Sequence, residues 1–223
     1  MDLHLLNKEQ KIAVEHQNGP LLVLSGAGTG KTRVLTSRFV YIVKNLKIDF
    51  HKIIAVTFTN KAANEIKERV NKELQHNIDS PWIGTFHSIF AKFLRKHSQL
   101  VKLKYNFNIL DTDDQKKLLK QVIEFCKIDN DVNESIYLNE IQNLKDQKIL
   151  SNEKLKISKF SSIEGISDIY KLYQERLLEI NGVDFGDILL HSYQILSSND
   201  ELRNTYLSYI DPVSYTHLRA HET

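Results

Sequence analysis

Three times in its first 110 residues the chain repeats one pattern: a short apolar run, a small polar segment, then apolar residues at helical spacing. The run Pro20–Leu24 is followed by Leu35, Phe39, Ile42, Val43 and Leu46; Ile53–Phe58 by Ile66, Val70 and Leu74; Trp82–Phe86 by Ile89, Phe90, Phe93 and Leu94. Runs of that length bounded by turn residues read as buried strands, and the spacings between read as one-sided helices. Strand–helix alternation predicts parallel strands joined by crossover helices. Ligands of such sheets lie beyond the carboxyl ends of the strands. The segments SGAGTGKT, TNKAA and TFHS all begin there, so the pattern predicts that they converge on one edge.

After Leu110 the texture becomes helical. Thr112 and Gln115 read as a capping box opening a helix with Leu118, Leu119, Val122, Ile123 and Cys126 on its core face. Helical periods then continue to about Ile180 with no strand, which predicts an all-helical insertion. Two further helices are expected over Phe185–Leu196 and Leu202–Ile210. Asp211-Pro212 breaks the second of these, and the last residues, DPVSYTHLRAHET, show neither strand alternation nor a helical face.

Bulk composition excludes several classes. The net charge of +2 carries no nucleic-acid signature, so any such partner must be argued from placed residues. The one cysteine, Cys126, excludes a disulfide framework and a cysteine-based metal site, and its apolar setting predicts a buried, inert thiol. No apolar run is long enough for a membrane span, and MDLHLLNKEQ lacks the pattern of a signal peptide, which points to the cytoplasm and no membrane partner.

The segment LVLSGAGTGKTRVL, Leu22 to Leu35, carries the chemistry. A glycine-rich turn between strand and helix lets successive backbone N–H groups face one anion, with the helix N-terminus adding favourable partial charge. Lys31 is expected to reach the β- and γ-phosphates of a bound nucleotide and the Thr32 hydroxyl to ligate Mg²⁺. Gly26, Gly28 and Gly30 supply backbone conformations that side chains forbid. Ser25 stands where the strict pattern has its first glycine, and Ala27 and Thr29 complete the loop.

Together the motifs LNKEQ (Leu6–Gln10), SGAGTGKTRVL (Ser25–Leu35), AVTFTNKAANEIKERV (Ala55–Val70), GTFHSIFAKFLR (Gly84–Arg95) and VDFGDILL (Val183–Leu190) make the chain resemble the N-terminal part of a superfamily-one DNA helicase of the UvrD/Rep/PcrA type. The resemblance implies an α/β fold: a P-loop NTPase, RecA-like parallel sheet with helices on both faces, plus an all-helical inserted subdomain. It implies that Gln10 reads adenine and that Arg33 lies near the nucleotide. It further implies that Phe58, Asn60 and Lys61, with Thr85, Phe86 and His87, hold single-stranded DNA, including single-strand/duplex junctions. Asp184, Phe185 and Asp187 match the motif by which the chain returns to the first domain. The implied division is residues 1–110 for the first part of the ATP-binding domain, 111–182 for the helical subdomain, 183–210 for the return and 211–223 for a non-native tail.

An ATPase also needs an acid at a second strand end to hold Mg²⁺ and another group to orient water. The nearest candidate, FNILD ending at Asp111, reads as structural. The family's Asp-Glu motif belongs shortly after a helix like Leu202–Tyr209, where DPVSYTHLRAHET stands. The chain is therefore expected to be an incomplete N-terminal piece of an ATP-dependent 3'-to-5' helicase that binds but does not efficiently hydrolyse ATP. The alternatives are the helicase subunit of a recombination helicase-nuclease, a P-loop small-molecule kinase, and a non-catalytic nucleotide-binding module.

Overall fold

The structure is a computed structural model that describes all residues except 1–5, 18, 25, 27, 76–81, 127–132, 211–215 and 219–223, with only the backbone described at 216–218. In chain order the first elements are α1 (Lys8–Glu15), α2 (Lys31–Lys44), β1 (Ala55–Thr57), α3 (Asn60–Leu74), β2 (Ile83–Thr85), α4 (Phe86–His97), β3 (Asn108–Ile109) and α5 (Thr112–Phe125). They are followed by α6 (Glu134–Asp146), α7 (Lys154–Phe160), α8 (Ile166–Glu179), β4 (Gly182–Val183), α9 (Phe185–Ser198), α10 (Asp200–Tyr209) and β5 (Thr216–Leu218). The chain is mostly helical α/β with small parallel sheets, and it divides into two compact units, Met1–Ile89 with Glu201–Thr223, and Phe90–Asp200. Among the described residues no helix is long and apolar enough to cross a membrane.

The first unit is built on a three-stranded parallel sheet in the order β2–β1–β5. Leu35, Phe39 and Ile42 of α2 meet Ile66 and Val70 of α3 over Ile53, Ala55 and Ile83, so the spacing-by-three-and-four stripes are the buried faces. Thr59 caps α3 by accepting from the Ala62 amide at 3.2 Å. Two expectations fail here. Pro20–Leu24 forms no strand, and Leu22 and Leu24 are 81% and 85% exposed. A strand persists only through its ladder, and β1 is already paired on both sides. Conversely, the tail that shows no alternation supplies β5, because ladder bonds are made by backbone and a free sheet edge accepts almost any extended segment.

The second unit is a helical bundle closed at its base by a two-residue parallel pair, Asn108↔Gly182 and Ile109↔Val183. Between these strands every element among the described residues is a helix, as the periods predict. Its core joins Leu119, Val122, Ile141, Leu144, Ile169 and Leu177, with Tyr137, Tyr170 and Tyr173 buried among them. Each tyrosine donates its hydroxyl proton: Tyr137 to the Glu164 carbonyl, Tyr170 to the Ile149 carbonyl and Tyr173 to Asp184 Oδ2, all at 3.1 Å. The cap of α5 is Asp111, which accepts from the Asp114 amide at 2.9 Å, and not the expected Thr112. The Gln115 amide group is buried and donates instead to the Leu110 carbonyl at 2.9 Å. Asp111 is thus structural, as its position predicts. Cys126 is half-buried against the same core, and burial followed by the charge of Asp168 pushes its thiol up, away from the reactive thiolate.

Candidate nucleotide and nucleic-acid site

The phosphate loop lies in the first unit, at the start of α2. Gly28 and Gly30 take φ of 74° and 87°, the left-handed region where a side chain is strained. Gly30 is also the residue ahead of α2 and provides no side-chain cap. The first ladder bond of α2 runs from the Val34 amide to the Gly30 carbonyl at 3.0 Å, so the amides of Lys31, Thr32 and Arg33 precede the ladder. Three amides at an uncapped helix start attract an anion. Within the loop the Thr29 hydroxyl donates to the Gly26 carbonyl at 2.7 Å, tightening the turn. Lys31 and Thr32 are half-buried at the first two helical positions and Arg33 is exposed. Ser25 and Ala27 lie outside the described residues.

Gln10 is brought to this loop from α1. Its Nε2 donates to the Thr29 carbonyl at 3.0 Å, and a Cβ added at Gly30 would stand 3.2 Å from that nitrogen. Its Oε1 accepts from the Asn7 amide at 3.1 Å, closing a capping box with Asn7. Both ends of the side-chain amide are therefore engaged on the protein itself. What fixes α1 against α2 is Arg38, a residue without any motif. Its Nη1 donates to the carbonyls of Ala13 (3.1 Å), Val14 (3.2 Å) and His16 (2.5 Å) at the end of α1. These are carbonyls beyond the last intrahelical donors, and a cation suits that end of the helix. Arg38 is buried and its basicity is lowered, by burial first and with Tyr41 acting against it. The only sequence signal for this clamp is an arginine within one turn of the apolar stripe of α2.

The two remaining motifs meet on the sheet. β1 and β2 are parallel and in register, with Thr57 opposite Thr85. Adjacent strands lie about 4.8 Å apart, so the residues leaving both carboxyl ends are neighbours. Phe58 follows Thr57 and is 79% exposed, and Phe86 follows Thr85 and is 43% exposed. The core reading of Phe58 that its residue type favours therefore gives way: a large aromatic ring faces solvent at a strand end. Asn60, Lys61 and His87 are exposed beside these rings in the sequence. The Thr85 hydroxyl is used locally, accepting from the Ser88 amide at 3.2 Å and so holding the first turn of α4.

The acids of VDFGDILL do something different. Asp184 and Asp187 are 1% exposed and form a capping box at the start of α9. Lys145 of α6, wholly buried, places Nζ 2.5 Å from Asp184 Oδ2 and 2.8 Å from Asp187 Oδ1. Gln174 Nε2 donates to Asp187 Oδ1 at 3.0 Å, leaving its buried Oε1 without a hydrogen-bond partner, and His191 Nε2 is 4.0 Å from the same carboxylate. Burial and then the charge of Asp187 push Asp184 above the ordinary carboxylate range. Burial acts on Asp187 too, but Lys145 and then His191 outweigh it and hold Asp187 below that range. Phe185 between them is 48% exposed. These acids are a packing lock within the second unit.

A family model described as the UvrD/REP helicase N-terminal domain matches residues 6–213. The chain belongs to that family. A DNA helicase II of Rickettsia typhi is 40% identical over 216 residues, covering 92% of this chain and 32% of that protein. An ATP-dependent DNA helicase PcrA of Leuconostoc citreum is 34% identical over 203 residues, covering 90% of this chain and 27% of that protein. A protein of the same name from Staphylococcus aureus is 34% identical over 205 residues, covering 92% and 28%. The chain thus spans less than a third of each of these relatives. UvrD/REP membership sets aside the small-molecule kinase reading of the phosphate loop. The loop's geometry fits a nucleotide phosphate on this chain's own residues: two left-handed glycines, an uncapped helix start, a lysine and a hydroxyl. Among the described residues no group of three His, Cys, Asp or Glu side chains is placed to hold a metal.

Proposed function

We propose that this chain is the nucleotide- and strand-binding portion of an ATP-dependent DNA helicase that moves 3'-to-5' on single-stranded DNA in the cytoplasm. The observation that carries the reading is the in-register pair of strand ends that exposes Phe58 and Phe86 side by side, in the unit that also holds the open start of α2. Exposed aromatic rings suit the faces of bases, and base–aromatic stacking is sequence-tolerant, as a translocating protein requires. In the nucleotide-bound protein the backbone amides after Gly30 hold the phosphates, Lys31 neutralises the β- and γ-phosphates, and the Thr32 hydroxyl faces Mg²⁺. ATP supplies the free energy of its terminal phosphoanhydride. Arg33, Gln10 and the loop residues Ser25 to Gly30 line the nucleotide. Phe58, Asn60, Lys61, Thr85, Phe86 and His87 hold the strand or its junction with duplex. The RecA-like sheet belongs to the same proposal: Pro20–Leu24 joins it as a further strand, consistent with an apolar run lying exposed. Residues 211–223 are a non-native tail, of which Thr216–Leu218 takes the edge of β1, and this chain alone binds ATP with little turnover.

The test is Lys31→Ala. Binding of a fluorescent ATP analogue to the chain should fall at least tenfold, and DNA-stimulated ATP hydrolysis by the full-length parent should vanish while single-strand affinity is kept. Unchanged nucleotide binding and turnover would remove the assignment.

A further inference from the structure

Two long stretches of the near-neutral chain carry no acid: His16–Ile48, which holds the phosphate loop, and Ser80–Leu110. Lys92, Arg95, Lys96, Lys102 and Lys104 all fall within the second. The structure of the second unit gathers these cations. Lys92, Arg95 and Lys96 stand at i, i+3 and i+4 on α4, which places them on one helical stripe, and all three are exposed. Arg95 then folds the following segment back. Its Nη1 donates to the carbonyls of Tyr105 (3.0 Å) and Phe107 (3.1 Å), and its guanidinium lies 4.4 Å over the buried Phe107 ring. The left-handed backbone at Lys102 (φ 61°) turns the chain, and the Lys104 amide donates to Asn181 Oδ1 at 2.9 Å. The backbone at Tyr105 and Phe107 is thereby held against Arg95 of α4, and Lys102, Lys104 and Tyr105 on this segment are exposed, with Tyr105 at 75%. Among the described residues no carboxylate pairs with Lys92, Lys102 or Lys104. The acid nearest Asn181 in the chain, Glu179, is instead engaged with Arg176 at 2.8 Å. Half-buried His97, on the same helix, is held below its ordinary value by burial and then by the charge of Lys96.

A helix end favours cations, which accounts for Arg95 and Lys96 in the last turn of α4. It does not account for Lys92 one turn earlier, nor for Lys102 and Lys104 on the returning segment. Exposed Lys92, Lys102 and Lys104, paired with no carboxylate among the described residues, leave positive charge that a bound polyanion offsets. We propose that the surface formed by Lys92, Lys96, Lys102, Lys104 and Tyr105 binds the phosphate backbone of nucleic acid. This contact is additional to the one assigned to Phe58 and Phe86, and the inference rests on the DNA-motor reading. The lysines are point charges on flexible stems, suited to phosphate oxygens without reading sequence, and Tyr105 offers an edge hydroxyl or a ring face.

The test is the triple variant K92Q/K102Q/K104Q of this chain. Anisotropy titrations use a labelled duplex and a labelled single strand of the same length at several salt concentrations. All three side chains are exposed, so the far-UV circular dichroism spectrum and melting midpoint should match the parent. Neutralising each phosphate-contacting lysine lowers the slope of log K against log salt by about 0.9 on duplex and about 0.7 on single strand. A loss of about two or more in slope on either oligonucleotide supports the surface, and the oligonucleotide affected identifies the strand it serves. The control is K154Q/K156Q/K171Q, which removes the same charge from exposed lysines already paired with Asp168, Glu153 and Glu175. An equal loss in the control, or slopes unchanged in the triple variant (as for a surface serving an acidic protein), overturns the proposal. Phe58→Ala separates the two readings. If it weakens single-strand binding while the triple variant changes nothing, the motor reading stands and this surface falls. If neither substitution affects binding, both fall.

Discussion

The two units keep their charged groups in opposite ways. In the first, the phosphate loop is open: two left-handed glycines, an uncapped helix start and an apolar run, Leu21–Leu24, left in solvent. In the second, three ionisable groups are sealed in the core, with Lys145 between Asp184 and Asp187 and the two acids bonded again to Tyr173, Gln174 and the backbone. On the proposed function the difference separates residues kept to bind from residues kept to hold the fold, although both sets are short polar motifs in sequence. A buried charge is tolerated only with its partners, whereas a phosphate site must leave donors unmet until its ligand arrives.

Substitutions should break that contrast in graded steps. The largest effect is expected for Lys145→Met, which strands two buried carboxylates and should cost about 3–5 kcal/mol in urea unfolding. The single tryptophan, Trp82, lies in the first unit, so its fluorescence reports that unit while the helical circular dichroism signal also carries the second. In Lys145→Met the helical transition should move to lower urea ahead of the Trp82 transition. If both move together, the units do not unfold independently. Alkaline pH probes the same network. Lys145 is raised despite full burial, which acts to lower it, because Asp187 and Asp184 prevail. Tyr170 and Tyr173 are also raised, by burial and then by these carboxylates. Groups whose folded values lie above their unfolded ones stabilise the protein fully below the unfolded values. Stability from this network should therefore be intact below about pH 10 and lost as pH climbs further, the unfolded state releasing protons first. Urea midpoints at pH 8 and above pH 10 check this, and Lys145→Met should flatten the difference.

A smaller effect is expected for Gly186→Ala. The added Cβ would lie 2.6 Å from Gln142 Nε2 and 2.9 Å from Lys145 Cδ, so the buried lysine must shift, at about 1–3 kcal/mol. Asp111→Ala removes the α5 cap and should cost about 0.5–2 kcal/mol by the same urea measurement. At the small end, Leu22→Ser with Leu24→Ser should change the stability of this chain by less than about 0.5 kcal/mol, since both side chains already face water. A loss of several kcal/mol there would show that Pro20–Leu24 is buried in solution and that the contrast between the units is overstated.

Much of this was legible in the chain. The faces of α2, α3 and α5 follow directly from the spacing of Leu35, Phe39 and Ile42, of Ile66 and Val70, and of Leu119, Val122 and Ile123, because helical period and burial are linked by geometry alone. The convergence of TNKAA and TFHS also follows, since parallel strands in register must deliver their ends together. The Pro20–Leu24 strand was not decided by its own residues, because a strand depends on which neighbour offers a free edge. The reverse holds for Thr216–Leu218, whose sequence has no strand pattern and whose backbone nevertheless takes the edge of β1.

By itself, then, the sequence determined where the helices run, which faces they bury, and that a glycine-rich loop and two strand-end motifs belong to the UvrD/REP helicase N-terminal family. Those features depend on local backbone preference and on the period of apolar side chains. Only the tertiary structure decided that Phe58 stands in solvent, that Arg38 clamps α1 to the phosphate-loop helix, and that Lys145 is sealed between Asp184 and Asp187. It alone decided that Arg95 draws the backbone of Tyr105 and Phe107 back to α4. Each depends on partners tens of residues away or on the folding back of a loop, and charge or aromatic character in a linear chain carries no record of which distant group will meet it.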